Sequence, residues 1–145
     1  MKHVLYCDLE MTLINSWEEF EFINISIPLL DRYDGLVNIF SYAVDNESDL
    51  QKIKSLLPHF ENYFHRKFAA NITVSEIADF LDMTIYQIKN RGKRQGFIDY
   101  ITYFEDEPYE NTTYILIDDL VEPETIKITD NMNILFLNPF RENTC

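Results

Sequence analysis

Two short apolar runs that end in carboxylates constrain this chain more than any other feature. Val4-Leu5-Tyr6-Cys7 leads into Asp8-Leu9-Glu10, and Tyr114-Ile115-Leu116-Ile117 leads into Asp118-Asp119. Each run is too short to span a membrane or to form a stable isolated helix, so both read as strands, and their unbroken apolar character suits strands buried on both faces of a parallel sheet. If the two strands lie side by side, Asp8, Asp118 and Asp119 converge at their carboxyl ends. Mutual repulsion then raises carboxylate pKa values and destabilises the fold unless a cation or a proton relieves it. Oxygen ligands with room for water favour Mg²⁺ as that cation.

The remaining composition is that of one α/β domain spanning 1–145. A chain of 145 residues that is 46% hydrophobic fills one core and not two, and with only Gly 3 and Pro 5 it has no long flexible linker. No run approaches the roughly 18 apolar residues of a spanning helix, and the N-terminus lacks a signal core, so a cytoplasmic location is expected. The formal net charge of −13 disfavours nucleic acid and anionic membrane as partners. Cys7 and Cys145 form no disulfide or metal-ligand pattern, and Cys7 reads as a small core residue. His3, His59 and His65 have no partner at metal-ligand spacing and read as surface or packing residues.

Between the two acidic strands, Phe20-Glu21-Phe22-Ile23-Asn24-Ile25-Ser26-Ile27 alternates in part and predicts a strand. Trp17 before it either packs beneath this strand or covers the site. Asp34-Gly35 marks a turn into Leu36-Val37-Asn38-Ile39-Phe40, which ends at Ser41. Asp45-Asn46-Glu47-Ser48 offers helix caps, Leu50, Ile53, Leu56 and Leu57 form an apolar stripe, and Pro58 is expected to end the helix. Phe68-Ala69-Ala70-Asn71-Ile72 fits a third strand or the end of a helix. Gly92-Lys93-Arg94-Gln95-Gly96-Phe97-Ile98-Asp99-Tyr100-Ile101 opens an amphipathic helix with a basic pair. The acidic segment 105–110 reads as a solvated loop, two further strands follow Asp119, and the tail from Pro139 is expected to fray.

Taken in order, Asp8-Leu9-Glu10-Met11-Thr12, the strand ending at Ser41, the basic pair Lys93-Arg94, and Ile115-Leu116-Ile117-Asp118-Asp119 resemble the motifs of the haloacid dehalogenase-like (HAD) superfamily. The likeness covers most of the chain, with one departure: Glu10 stands where the phosphatases of that superfamily carry a second Asp. It implies a Rossmann-like three-layer α/β/α fold with a central, mainly parallel sheet, a flap hairpin after the first motif and no cap domain. It also implies a third strand at 68–72. The interval between the first two motifs is only flap-sized, which in that family suits bulky or macromolecular substrates, or closure by a second subunit of a homo-oligomer.

The resemblance further implies a Mg²⁺-dependent phosphatase or phosphoryl hydrolase. Asp8 would be the nucleophile that forms an aspartyl-phosphate, and Glu10 the acid and base. Ser41 and Lys93 would hold the phosphoryl group, with Arg94 the alternative to Lys93 and Lys89 third in order. Mg²⁺ would be held by Asp8, the backbone carbonyl of Glu10, Asp118 and Asp119. The substrate is then a phosphorylated small molecule or macromolecule. Glutamate's extra methylene can move the carboxyl by more than the ~1 Å that already costs substantial rate, so the site is either slow or catalytically degenerate and kept for binding.

The segment 73–94 carries a competing signal. Thr73-Val74-Ser75-Glu76-Ile77-Ala78 and Thr84-Ile85-Tyr86-Gln87-Ile88 resemble the two helices of a DNA-binding helix-turn-helix, followed by Lys89, Arg91, Lys93 and Arg94. Asp82 stands at the turn where glycine is usual. Two capped helices that never touch DNA give the same pattern, and the acidic chain favours that reading.

Overall fold

The computed structural model describes residues 2–104 and 110–141. Its elements run β1 (Lys2–Cys7), α1 (Ile27–Leu30), β2 (Val37–Ile39), α2 (Glu47–Phe64), β3 (Phe68–Ala70), α3 (Val74–Phe80), α4 (Ile85–Asn90), α5 (Gly92–Phe104), β4 (Thr112–Ile117), β5 (Glu124–Thr129) and β6 (Met132–Leu137). The strands form one sheet in the order β3-β2-β1-β4-β6-β5. All pairings are parallel except the β5–β6 hairpin at the edge. This is an α/β architecture with a mainly parallel sheet, as the two apolar runs predict, and it is consistent with a Rossmann-like fold.

The unbroken apolar character of β1 and β4 follows from burial on both sides. Leu5, Cys7, Ile115 and Ile117 point into one core with α1 and α2. Tyr6, Tyr114 and Leu116 point into a second core with α3, α4 and α5. Alternate residues along a strand face opposite sides, so where helices cover both faces of the sheet consecutive residues are all apolar, as in 4–7 and 114–117. Cys7 is fully buried, as a small core residue should be.

Chain reversal in the sheet order places β1 and β4 at its centre, with β2 and β3 on one side and β6 and β5 on the other. At such a switch point the loops leaving neighbouring strands diverge to opposite sides, and a crevice opens at their carboxyl ends. The register pairs Cys7 with Ile117, so the next residues, Asp8 and Asp118, stand level at that crevice.

Two local expectations fail for identifiable reasons. The strand expected over 20–27 is absent: Phe22 makes only an isolated bridge to Ile14, and Ile27 starts a helical turn. Phe20 has φ +54, which breaks an extended run, and Phe20 and Phe22 both set their rings edge-on against Phe60 of α2. Pro28 in the first turn of α1 suits a helix start, where a missing N–H costs nothing. The flap hairpin is therefore replaced by a loop packed through aromatic contacts.

Pro58 does not end α2, which continues to Phe64. Pro58 and Lys54, whose carbonyl loses its helical donor, are both exposed, so the lost bond lies on the solvent side of the helix. Beyond the proline, Phe60 and Phe64 extend the buried stripe of Leu50 and Ile53, and that burial outweighs the lost bond. The ambiguous run at 68–72 does contain a strand, β3, paired with β2.

The helix-turn-helix-like segment folds as two short helices, α3 and α4, capped by Thr73 and Thr84, with a full capping box between Thr84 and Gln87. Ala78 and Ile88 are buried between them and the sheet. Asp82 takes φ +54 at the turn. No helix among the described residues is long and apolar enough to cross a membrane.

Phe97 carries α5 onto the sheet, fully buried and in edge contact with Tyr6, Phe40 and Phe136. Phe97→Ala should cost about 3–5 kcal/mol. Urea unfolding measures it, and a loss below about 1 kcal/mol would contradict this packing.

Candidate active site

Asp8 and Asp118 follow directly from their strands because backbone bonds hold the strand ends in line. Asp8 N–H donates to Ile117 O at 3.0 Å and Asp118 N–H to Leu137 O at 3.0 Å. The apolar ends of the two strands leave the acids almost no exposure, 6% for Asp8 and 0% for Asp118. Asp119 is half-buried beside them. One carboxylate oxygen from each of Asp8, Asp118 and Asp119 lies within 4.8 Å of the others.

Lys93 enters this cluster from the first turn of α5, itself only 6% exposed. Its Nζ lies 3.2 Å from Asp8 Oδ1 and 3.1 Å from Asp118 Oδ2, and it donates to Phe40 O at 3.2 Å. The ammonium also sits 5.0 Å from the Phe40 ring centre and 4.6 Å from that of Tyr42. Aromatic faces attract a cation, so they hold the group where no water can.

The electrostatics follow from burial. Loss of hydration pushes Asp8 up to about 7, with Lys93 pulling it down and Asp118 pushing it further up. Asp119 is raised for the same first reason and by Asp118. Burial by itself pulls Lys93 down, but Asp8 and Asp118 outweigh it, and the ammonium stays charged across the physiological range. Cys7, one residue before Asp8, is raised well above the ordinary thiol range by burial and by both acids, so it is no nucleophile.

The donor set suits a hard cation. Three carboxylate oxygens converge, and Asp118 Oδ2 is buried without an aligned hydrogen-bond donor despite its ion pair with Lys93. Asp118 Oδ1 is occupied by the Leu120 N–H at 2.8 Å. Carboxylates and water are the ligands that Mg²⁺ takes.

Around the triad lies a cleft of about 560 Å³ whose lining includes Asp8, Glu10, Ser41, Lys93 and Asp119. Glu10 is fixed at the rim because its Oε2 accepts the Trp17 N–H at 3.0 Å. Ser41 Oγ accepts the Ala43 N–H at 3.1 Å, a turn contact that leaves its O–H to donate. Trp17 packs against the first core and also lines the cleft, although the strand it was expected to lie beneath is absent. Thus Asp8, Glu10, Ser41, Lys93 and Asp119 share one cleft, with Asp118 buried in its floor.

Arg94 does not belong there. It points away and pairs through two bonds with Glu124 of β5, at 2.7 and 3.1 Å. Adjacent residues on a helix diverge by about 100°, so only one of the pair could face the crevice. Lys89 does line the cleft, paired with Asp45 at 2.6 Å.

Tyr42 went unnoticed in the sequence. Its hydroxyl donates to Gly92 O at 3.0 Å, and its ring lies where a side chain at Gly96 would be, an added Cβ meeting the hydroxyl at 1.7 Å. A glycine inside a helix is the signal that could have revealed this, because it costs about 1 kcal/mol relative to alanine and so marks a close approach. No family model, curated protein or solved structure matches the chain.

Because Asp8 titrates near 7 in the folded chain and about 3.9 when unfolded, the folded state holds a proton that the unfolded state has released. Stability therefore falls as pH rises from about 4 to about 7 and levels off above. Asp8→Asn should raise the melting temperature at pH 8 without divalent cations, with the gain shrinking at pH 5 and gone near pH 4. Thermal melts across that range check it; a gain independent of pH would show that Asp8 carries no buried charge.

Proposed function

We propose that the protein is a Mg²⁺-dependent phosphoryl hydrolase of haloacid dehalogenase-like type. The convergence of Asp8, Asp118 and Asp119 with the buried Lys93 at the β1–β4 switch point carries this reading. A buried ammonium between two carboxylates, beside a cleft, is arranged to receive dianionic oxygens that the net charge of −13 would otherwise repel. The order of the four motifs along the chain supports the same class.

In this mechanism an Asp8 oxygen attacks phosphorus in line, and the bond from phosphorus to the ester oxygen breaks. Glu10 gives its proton to the leaving oxygen, then takes one from a water that attacks the aspartyl-phosphate, releasing phosphate and regenerating Asp8. Lys93 offsets the charge of Asp8 and of the phosphoryl oxygens, and the Ser41 hydroxyl donates to one of them. Asp8, Asp118, Asp119 and the Glu10 carbonyl would hold Mg²⁺, which supplies electrostatic stabilisation of the transferring group. Glu10 is held by the Trp17 N–H at the cleft rim, and that tether favours a slow enzyme over an optimised one.

A binding-only role for a degenerate site is the second reading, carried by Glu10 itself. DNA recognition has less support. Lys89, Arg91, Lys93 and Arg94 are each paired with a carboxylate: Asp45, Asp99, Asp8 with Asp118, and Glu124.

The hydrolase should turn over an aryl phosphate with Mg²⁺, lose that activity with EDTA, and fall to background in Asp8→Asn. Lys93→Met should lower kcat/KM by about 10²-fold or more. Unchanged turnover in Asp8→Asn excludes the mechanism. If Glu10 is what limits the rate, Glu10→Asp should raise kcat about tenfold or more; no gain over a broad panel of phosphate esters counts against a site made degenerate by Glu10. Mg²⁺ should also raise the melting temperature more at pH 8 than at pH 5, where protons compete for Asp8; calorimetry with and without the ion measures this.

A further inference from the structure

The cleft has an apolar mouth that the chemistry above does not use. Met11 and Leu120 both line it, next in sequence to Glu10 and Asp119, with 47% and 73% of their surfaces exposed. Neither belongs to either hydrophobic core among the described residues. Trp17 completes the mouth as an aromatic wall, held by edge contact with Phe20 and by Lys52 Nζ 4.1 Å over its ring.

Met11 is the telling residue. It adopts φ +62, a left-handed conformation that a side-chain-bearing residue takes only at a cost of about 1 kcal/mol and that glycine takes freely. Its backbone is committed, with the N–H donating to Ile14 O at 2.7 Å. The turn therefore needs the conformation, while nothing in the turn or the core needs the methionine. A long apolar side chain kept in a strained, exposed position at a cleft is best explained by what enters the cleft.

Three of the acids around it are already engaged. Glu10 accepts from Trp17, Asp45 pairs with Lys89, and Asp49 Oδ2 accepts the Asp45 N–H. Glu18 and the Ser41 hydroxyl also border the cleft, and beside them Met11, Leu120 and Trp17 offer apolar and aromatic surface to a ligand.

Resting on the hydrolase reading, we propose that Met11 and Leu120 are specificity-determining residues that grip an apolar or aromatic leaving group. The preferred substrate class is a phosphomonoester of an aryl or arylalkyl alcohol, not of a polyol or sugar. Leu120 is placed for this because its N–H is held on Asp118 Oδ1, which keeps its backbone beside the reacting centre. Burial of a ring against methionine, leucine and tryptophan favours such a ligand by about tenfold or more over one that lacks the ring.

Binding of 3-phenylpropylphosphonate and methylphosphonate, measured by calorimetry in Mg²⁺, tests this without requiring turnover. The wild-type protein should bind the aryl compound at least about tenfold more tightly. In Met11→Gly and in Leu120→Ser the ratio should fall, approaching unity in the double variant. Met11→Gly removes a strained side chain, so its melting temperature should not drop, and that measurement shows the variant is folded. A wild-type ratio near one, or a ratio unchanged in both variants, overturns the inference while leaving the hydrolase reading intact. Failure of both phosphonates to bind in Mg²⁺ overturns the inference and the hydrolase reading together.

Discussion

Everything at the centre of this molecule depends on one buried ammonium. Asp8 and Asp118 emerge level from adjacent parallel strands with almost no access to water, and two such carboxylates cannot both stay ionised there without a cation. Lys93 supplies it from the opposite side of the cleft, reaching both acids and the Phe40 carbonyl. That bridge ties α5 to the two central strands, so the charge balance of the site and the seating of the helix are one interaction. Even so, a single ammonium does not neutralise three acids, and the leftover charge is the physical basis for proposing a divalent cation.

The neighbourhood of Lys93 is built around that demand. Gly96, one turn further along α5, has no side chain and lets Tyr42 lie against the helix. Tyr42 in turn presents its ring to the ammonium and anchors its hydroxyl on the Gly92 carbonyl. Phe40 contributes both a ring face and a carbonyl oxygen. The lysine is thus held on several sides before any ligand arrives, the preorganisation that electrostatic catalysis requires.

The two helices of the competing motif have a structural use in this arrangement. Thr73 and Thr84 cap α3 and α4, Ala78 and Ile88 fill the second core, and Lys89 reaches across to Asp45 at the cleft. Capping and packing account for the pattern that resembles a DNA-reading unit, and each of its basic residues Lys89, Arg91, Lys93 and Arg94 is paired with a carboxylate. The Pro58 outcome has the same logic: an exposed proline loses one backbone bond, whereas ending α2 there would leave Phe60 and Phe64 without the core they fill.

Some of this was legible in the residues alone. Unbroken apolar runs that stop at acids dictate strands buried on both faces, and hence a helix-covered parallel sheet with Asp8, Asp118 and Asp119 at its edge. Period and burial are local properties, so the caps at Thr73 and Thr84 and the burial of Cys7 could also be read there, whereas 68–72 fitted a strand or a helix end equally and only the family resemblance favoured the strand. The choice between Lys93 and Arg94 could not, because neighbours on a helix carry the same chemistry and only the rotation of α5 against the sheet decides which one faces inward. Nor could the loop over 20–27, where alternation suggested a strand but Phe20 and Phe22 found better burial against Phe60. Tertiary packing settled these points because each compares contacts between segments far apart in the chain, and such contacts have no local trace.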